Sequence, residues 1–191
     1  MQQFTELRHL NLSACHINYN QIADVADGLR MCTALTHIDL SYNRLGTFGA
    51  EEGIQRLIKS LCVFPLLVDL KLGSIQMNDE DAHFFARHLP QYPALTRLHI
   101  DISGNEFQDD GTRALARVLP QCQELLHLDM GGNYCPRAAQ ELVDACMRMA
   151  DQKGRFKLIL SNCDILPGTD DQLRAQRRGT KLEVILDPTD W

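Results

Sequence analysis

One spacing of apolar residues recurs along this chain, and it leaves few folds open. Leu7-x-x-Leu10-x-Leu12 is followed by Cys15 and Ile17. Leu35-x-x-Ile38-x-Leu40 is followed by Asn43 and Leu45, Leu67-x-x-Leu70-x-Leu72 by Ile75 and Met77, and Leu125-x-x-Leu128-x-Met130 by Asn133 and Cys135. Leu95-x-x-Leu98-x-Ile100 carries only the first half of the pattern. Its Asn105 and Phe107 come two residues late, which predicts a two-residue bulge around residues 101–104. A degenerate sixth copy reads Leu158-x-Leu160, Cys163 and Ile165, and a seventh strand is expected over residues 182–186. The first leucines stand at 7, 35, 67, 95 and 125, in steps of 28, 32, 28 and 30 residues. Apolar residues two apart mark a short strand with one face inward. A unit this small cannot bury its own apolar side, so successive units have to stack.

The segments between the strands read as helices. Ile22, Val25, Ala26 and Leu29 share one helical face, as do Ile54, Leu57, Ile58 and Leu61. Asn78 is the expected N-cap of a third helix, with Asp79, Glu80 and Asp81 in its first turn, where acids favour the helix dipole. Leu115, Ala116 and Leu119 define a fourth helix. Pro136 is expected in the first turn of a fifth, which buries Leu142, Val143 and Cys146.

Residues 110–120, Asp110-Gly111-Thr112-Arg113-Ala114-Leu115-Ala116-Arg117-Val118-Leu119-Pro120, then Leu125-x-x-Leu128-x-Met130-x-x-Asn133, resemble the ribonuclease-inhibitor type of leucine-rich-repeat protein. Residues 82–90 followed by Leu95-Thr96-Arg97-Leu98 repeat the theme, and the resemblance covers nearly the whole chain. It implies an α/β solenoid, an open horseshoe segment of about six to seven repeats. Parallel β-strands would line its concave face and α-helices its convex face. It also implies protein ligands, and it carries over no catalytic residue. A single domain over residues 1–191 is expected. The repeats begin almost at once, and only Phe4 before the first and Trp191 after the last offer lids for the apolar ends. A piece of a longer protein and self-association through an uncapped solenoid end both follow as expectations.

Strand residues between the leucines should face solvent. Counting from each first leucine, one outward row reads His9, His37, Asp69, Arg97, His127 and Lys157. The next reads Asn11, Asp39, Lys71, His99, Asp129 and Ile159. The expected partner-binding residues are His37, Asp39, Tyr42, Asp69, Lys71, Arg97, His99, His127 and Asp129. Tyr42 stands out as an aromatic beside a strand, a residue type favoured at binding hot spots. His37 with Asp39 and His127 with Asp129 are expected as charge-assisted pairs. No metal site is expected, because His9 and His37 lack the further convergent ligands zinc requires.

Composition narrows the function. Nineteen Lys and Arg against 25 Asp and Glu give a net charge of −6. The basic residues are scattered, apart from Arg174, Arg177, Arg178 and Lys181, so nucleic acid is not an expected partner. No apolar run reaches the roughly 18 residues of a membrane helix, so no membrane contact is expected. Seven cysteines without a secretory leader point to reduced thiols and a cytoplasmic protein, with the nucleus left open. No P-loop, G-x-S-x-G, H-E-x-x-H or C-x-x-C occurs, so neither an enzyme nor a cofactor is expected. Protein binding through the concave strands is the leading reading. The alternatives are a non-catalytic regulator such as a GTPase activator, and a substrate-recognition adaptor or secreted microbial effector.

Overall fold

A computed structural model describes residues 4–46, 51–92, 97–122, 125–176 and 181–186. Seven strands form one parallel sheet in chain order: β1 (His9–Asn11), β2 (His37–Asp39), β3 (Asp69–Lys71), β4 (Leu98–Asp101), β5 (Leu125–Asp129), β6 (Phe156–Ile159) and β7 (Leu182–Ile185). Between them run α1 (Ile22–Leu29), α2 (Glu51–Leu61), α3 (Asp79–His88), α4 (Asp109–Val118), α5 (Ala139–Lys153) and α6 (Thr169–Gln176). Each strand pairs with the next, and neighbouring helices pack together in the same order. The result is an α/β leucine-rich-repeat solenoid. Leu95, Trp191, Arg177 and Arg178 lie outside the described residues, as does the side chain of Arg174.

The core is the stacked leucines. Leu35, Ile38, Leu40 and Leu45 of the second coil are 0–1% exposed, whereas Leu7, Leu10, Leu12 and Ile17 of the first coil are only partly buried. The interior coils have a neighbour on both sides. The first coil has one on a single side.

Asparagines sew the coils together. Asn105 Oδ1 accepts from the backbone N–H of Ile75 at 3.1 Å and of Met77 at 3.0 Å, both in the preceding coil. Its Nδ2 donates to the carbonyls of Leu72 at 2.9 Å and Ile102 at 3.0 Å. Asn43 and Asn133 do the same with one amide each, Ile17 and Phe107. At the equivalent place in the sixth coil, the Cys163 thiol donates to Met130 O at 3.3 Å. Where the ladder residue is Cys15, Ile75 or Cys163, the next residue is left-handed: His16, Gln76 and Asp164 have φ of 57°, 67° and 48°. After the asparagines, Arg44, Glu106 and Tyr134 are not among the positive-φ residues.

The bonds of Asn105 correct the sequence reading of the fourth repeat. The sheet register pairs Leu70 with Ile100, and Ile100 with Leu128. Ile100, Ile102 and Asn105 therefore occupy the places of Leu70, Leu72 and Ile75, and residues 101–104 hold no bulge. The irregularity lies earlier. Leu98 pairs with Leu125 across a register shift between Leu98 and His99, so one residue on β4 answers two on β5. Leu98 fills the first-leucine place one position late, and it is buried there.

Helix starts couple to their neighbours. Asn78 and Asp81 form a reciprocal capping box on α3. Asp79 Oδ1 accepts from Gln108 N at 2.7 Å, just before α4. Asp109 Oδ1 repeats this at α5, accepting from Arg137 N at 2.9 Å and Ala138 N at 2.8 Å. That helix begins at Ala139, so Pro136 precedes it instead of sitting in its first turn. Gly111 permits the close approach of α3 and α4: a Cβ there would stand 2.5 Å from Asp79 Oδ1 and 2.8 Å from Ala82 Cβ.

Candidate functional site

Alternation along the strands puts two rows of side chains on the sheet's open face. The register gives the first as His9, His37, Asp69, His99, His127, Lys157 and Glu183. The second is Asn11, Asp39, Lys71, Asp101, Asp129, Ile159 and Ile185. His99 thus moves from the second row to the first, and Arg97 leaves the rows for the turn before β4. Asp101, which frame counting had passed over, takes the second-row place. The polar stretch of that row ends at Ile159 and Ile185, both buried.

A hollow of about 590 Å³ opens over β3, β4 and β5. Seven of the expected residues line it: His37, Asp69, Lys71, Arg97, His99, His127 and Asp129, with Asp101 as the addition. Asp39 is next in the row but does not line it. Tyr42 stands apart, 71% exposed, beside a second recess of about 310 Å³ that it shares with His16, Asn18, Asn43 and Arg44. Its φ is 58°, in a turn place where other coils carry Ala14, Ser74, Gly104, Gly132 and Asn162 at φ of 52° to 69°. A left-handed backbone is unfavourable for an L-residue with a bulky side chain, so folding alone does not account for a tyrosine there.

The second-row acids also hold the backbone. Asp39, Asp101 and Asp129 each accept through Oδ1 from the N–H two residues on, at 3.0, 2.9 and 2.9 Å. Asn11 does the same with Ser13 at 2.8 Å. These Asx turns lock the exit of each strand. They also show what in the sequence marks Asp101: an acid or its amide two residues before Ser or Gly, as in Asp39-x-Ser41 and Asp129-x-Gly131. The expected pairs of His37 with Asp39 and His127 with Asp129 are replaced by these backbone bonds. The imidazoles turn elsewhere. His37 Nδ1 lies 2.8 Å from Thr36 Oγ1. His9 and His37 stack with centroids 4.2 Å apart, and His99 meets His127 edge to face at 5.4 Å.

Charge on this face is unevenly matched. Lys71 Nζ leans toward Asp69 at 4.0 Å, and Lys157 toward Glu183 at 3.9 Å. Burial, followed by the neighbouring Asp101, pushes the Asp129 carboxyl above its ordinary value, against the bond from Gly131 N. Burial, His99 and Lys157 hold the His127 imidazole below its ordinary value. His127 Nε2 is sealed from solvent and has no hydrogen-bond partner among the described residues. No group of three His, Cys, Asp or Glu side chains among the described residues is arranged to hold a metal ion. No described helix is long and apolar enough to cross a membrane. All seven cysteines are free.

A stacked solenoid with a polar strand-built wall defines a class of repeat protein, and comparison with known proteins agrees. The leucine-rich-repeat family model matches residues 32–52 and 98–116. Mouse protein NLRC5 is 30% identical over 144 residues, which cover 75% of this chain and 7% of NLRC5. Mouse NACHT, LRR and PYD domains-containing protein 4E is 29% identical over 165 residues, 80% of this chain and 16% of that protein. The chain thus spans a small part of the length of these relatives. Among solved structures, leiomodin-1 actin-binding site 2 superposes with a TM-score of 0.58 at 15% identity, over 91% of this chain and 90% of that one. The tropomodulin C-terminal domain of Caenorhabditis elegans gives 0.54 at 13% identity, over 84% and 96%. This chain is a leucine-rich-repeat protein.

Proposed function

We propose that this chain is a non-catalytic protein-binding module that takes its partner on the concave strands, as one domain over residues 1–191. The observation that carries the reading is the hollow over β3–β5, walled by His37, Asp69, Lys71, Arg97, His99, His127 and Asp129 on a sheet whose strands run parallel in chain order. Strands pinned by asparagine ladders and Asx turns present these groups with little ordering entropy left to lose on binding. The open hollow suits a macromolecule better than an enclosed small ligand. Its three aspartates disfavour a phosphate backbone. Free, mostly buried thiols support a reducing, cytoplasmic setting. The test pairs Asp39→Asn, which removes the charge but keeps the turn bond as Asn11 does, with Lys71→Glu. Both should weaken capture of the partner while leaving the melting temperature nearly unchanged. Full binding by both would move the site off the concave face.

The partly exposed Leu7, Leu10, Leu12 and Ile17 support a second reading, in which two copies meet through the first coil. Sedimentation equilibrium tests it: Leu10→Lys should shift a dimer to monomer, and a wild-type chain that stays monomeric overturns it.

A further inference from the structure

The junction between the fifth and sixth coils brings two thiols together. In each coil the ladder residue meets the residue two places beyond the ladder position of the coil before it. That pairing is Asn43 with Ile17, Asn105 with Met77, and Asn133 with Phe107. In the sixth coil it is Cys163 with Cys135. Lacking a side-chain oxygen, Cys163 offers its main-chain carbonyl to the Cys135 N–H, at 3.2 Å. A backbone bond of that length brings the two Cα atoms into the roughly 4.4–6.8 Å that a disulfide spans. Both side chains turn into the core, at 0% and 1% exposure, and the thiols hydrogen-bond to each other. The Cys163 proton has a second acceptor, Met130 O at 3.3 Å. That carbonyl also takes a bond from Asn133 Nδ2 at 2.8 Å, so it keeps a partner when Cys163 turns wholly to Cys135. A surface recess of about 150 Å³, between Asp164, Ile165 and Leu186, has Cys163 in its lining.

We infer that Cys135 and Cys163 form a disulfide site, closed by hydrogen peroxide, that clasps the fifth coil to the sixth. Cys163 lines the recess and meets the oxidant first. Its sulfur takes one oxygen atom from peroxide, giving a sulfenic acid and one water. The Cys135 sulfur then attacks Cys163 Sγ. The S–S bond forms, the S–O bond breaks, and the departing hydroxide takes up the Cys135 proton as a second water. The two thiols lose two electrons, and one peroxide gains them. The hydrogen bond from Cys163 draws the Cys135 thiol below its ordinary value, which suits it to the second step. That same bond, then burial, push the Cys163 thiol up and make the first step slow. The thiols of Cys32, Cys62 and Cys122 bond instead to carbonyls four residues back in their own turns. The link ties β5, which carries His127 and Asp129, to the coil of β6.

The test treats the folded chain with hydrogen peroxide, alkylates the remaining thiols and maps unreduced peptides by mass spectrometry. Exposed Cys15 reports that the peroxide is active. The expected product joins the peptides of Cys135 and Cys163, two hydrogens lighter than the reduced pair, and dithiothreitol reverses it. Closing this loop constrains the unfolded chain, so the urea midpoint should rise by on the order of 1 M on oxidation and return on reduction. Cys135→Ser and Cys163→Ser should each abolish the link and the rise. The mapping itself needs no variant, so it decides the matter even where a substitution weakens the fold. Oxidised Cys15 with both core thiols still alkylated overturns the inference. So does a link that forms only in urea, a sulfinic acid at Cys163 in place of the link, or a linked chain whose midpoint does not rise.

Discussion

Replacing Asn105 with alanine should remove more stability than any other single ladder change. Asn105 is buried, and four hydrogen bonds of 2.9–3.1 Å depend on it. Alanine leaves the N–H groups of Ile75 and Met77 without their acceptor in the interior between two coils. Each buried unsatisfied amide costs about 1–3 kcal/mol. The carbonyls of Leu72 and Ile102 lose one donor each, a smaller loss because a carbonyl oxygen has a second lone pair. The expected total is roughly 3–5 kcal/mol, a large share of the roughly 5–15 kcal/mol that holds a domain folded. Asn43 accepts from a single amide, that of Ile17, in the part-buried first coil, so Asn43→Ala should cost about half as much. Urea denaturation of both variants measures the difference. Hydrogen exchange localises it, with Ile75 and Met77 losing protection first. A loss below about 1 kcal/mol in Asn105→Ala, or one equal to that of Asn43→Ala, would refute the ladder argument.

Three further outcomes follow. Gly111→Ala should lower stability by about 1–3 kcal/mol despite alanine's better helix propensity, because the new methyl meets Asp79 and Ala82 across the α3–α4 contact; a rise in melting temperature would contradict this. Tyr42→Asn should stabilise by up to about 1 kcal/mol, since Asn162 occupies the same left-handed place in its own coil, while partner binding falls; destabilisation would mean that the ring packs into the fold. The folded chain holds His127 below its ordinary value, so on acidification the unfolded chain takes up that proton first. This histidine's effect on stability is absent above the unfolded value of about 6.5 and grows as pH falls from there toward the folded value. Wild type should therefore lose more stability than His127→Gln between about pH 7.5 and about pH 5, measured by urea midpoints, and equal losses would sink the assignment.

The architecture was legible because it rests on spacing. Leucines two and three apart, followed by Asn or Cys, specify an inward face, and the 28-residue step leaves room for one helix. The fourth repeat misled for a physical reason. Leu95 and Leu98 look like its frame because both are leucine. The frame is set by Asn105, whose polar atoms must reach the amides of the coil before it. A leucine one place late can still fill the core through a small register shift, but an asparagine out of place leaves amides unsatisfied. That choice of frame hid Asp101 and put Arg97 in a strand row. The histidine–aspartate pairs failed for a related reason: an Asp two residues before a turn amide finds that amide closer than any imidazole. The stacking of His9 on His37 and of His99 against His127 depends on cross-strand register, which single-repeat spacing does not contain.

Site-specific photocrosslinking asks most directly which wall the partner touches. A photoreactive side chain is placed at His99 in the hollow, or at Arg148 on the outer surface of α5. The account predicts a covalent adduct with the partner from position 99 and none from position 148. Adducts from position 148 alone would contradict it.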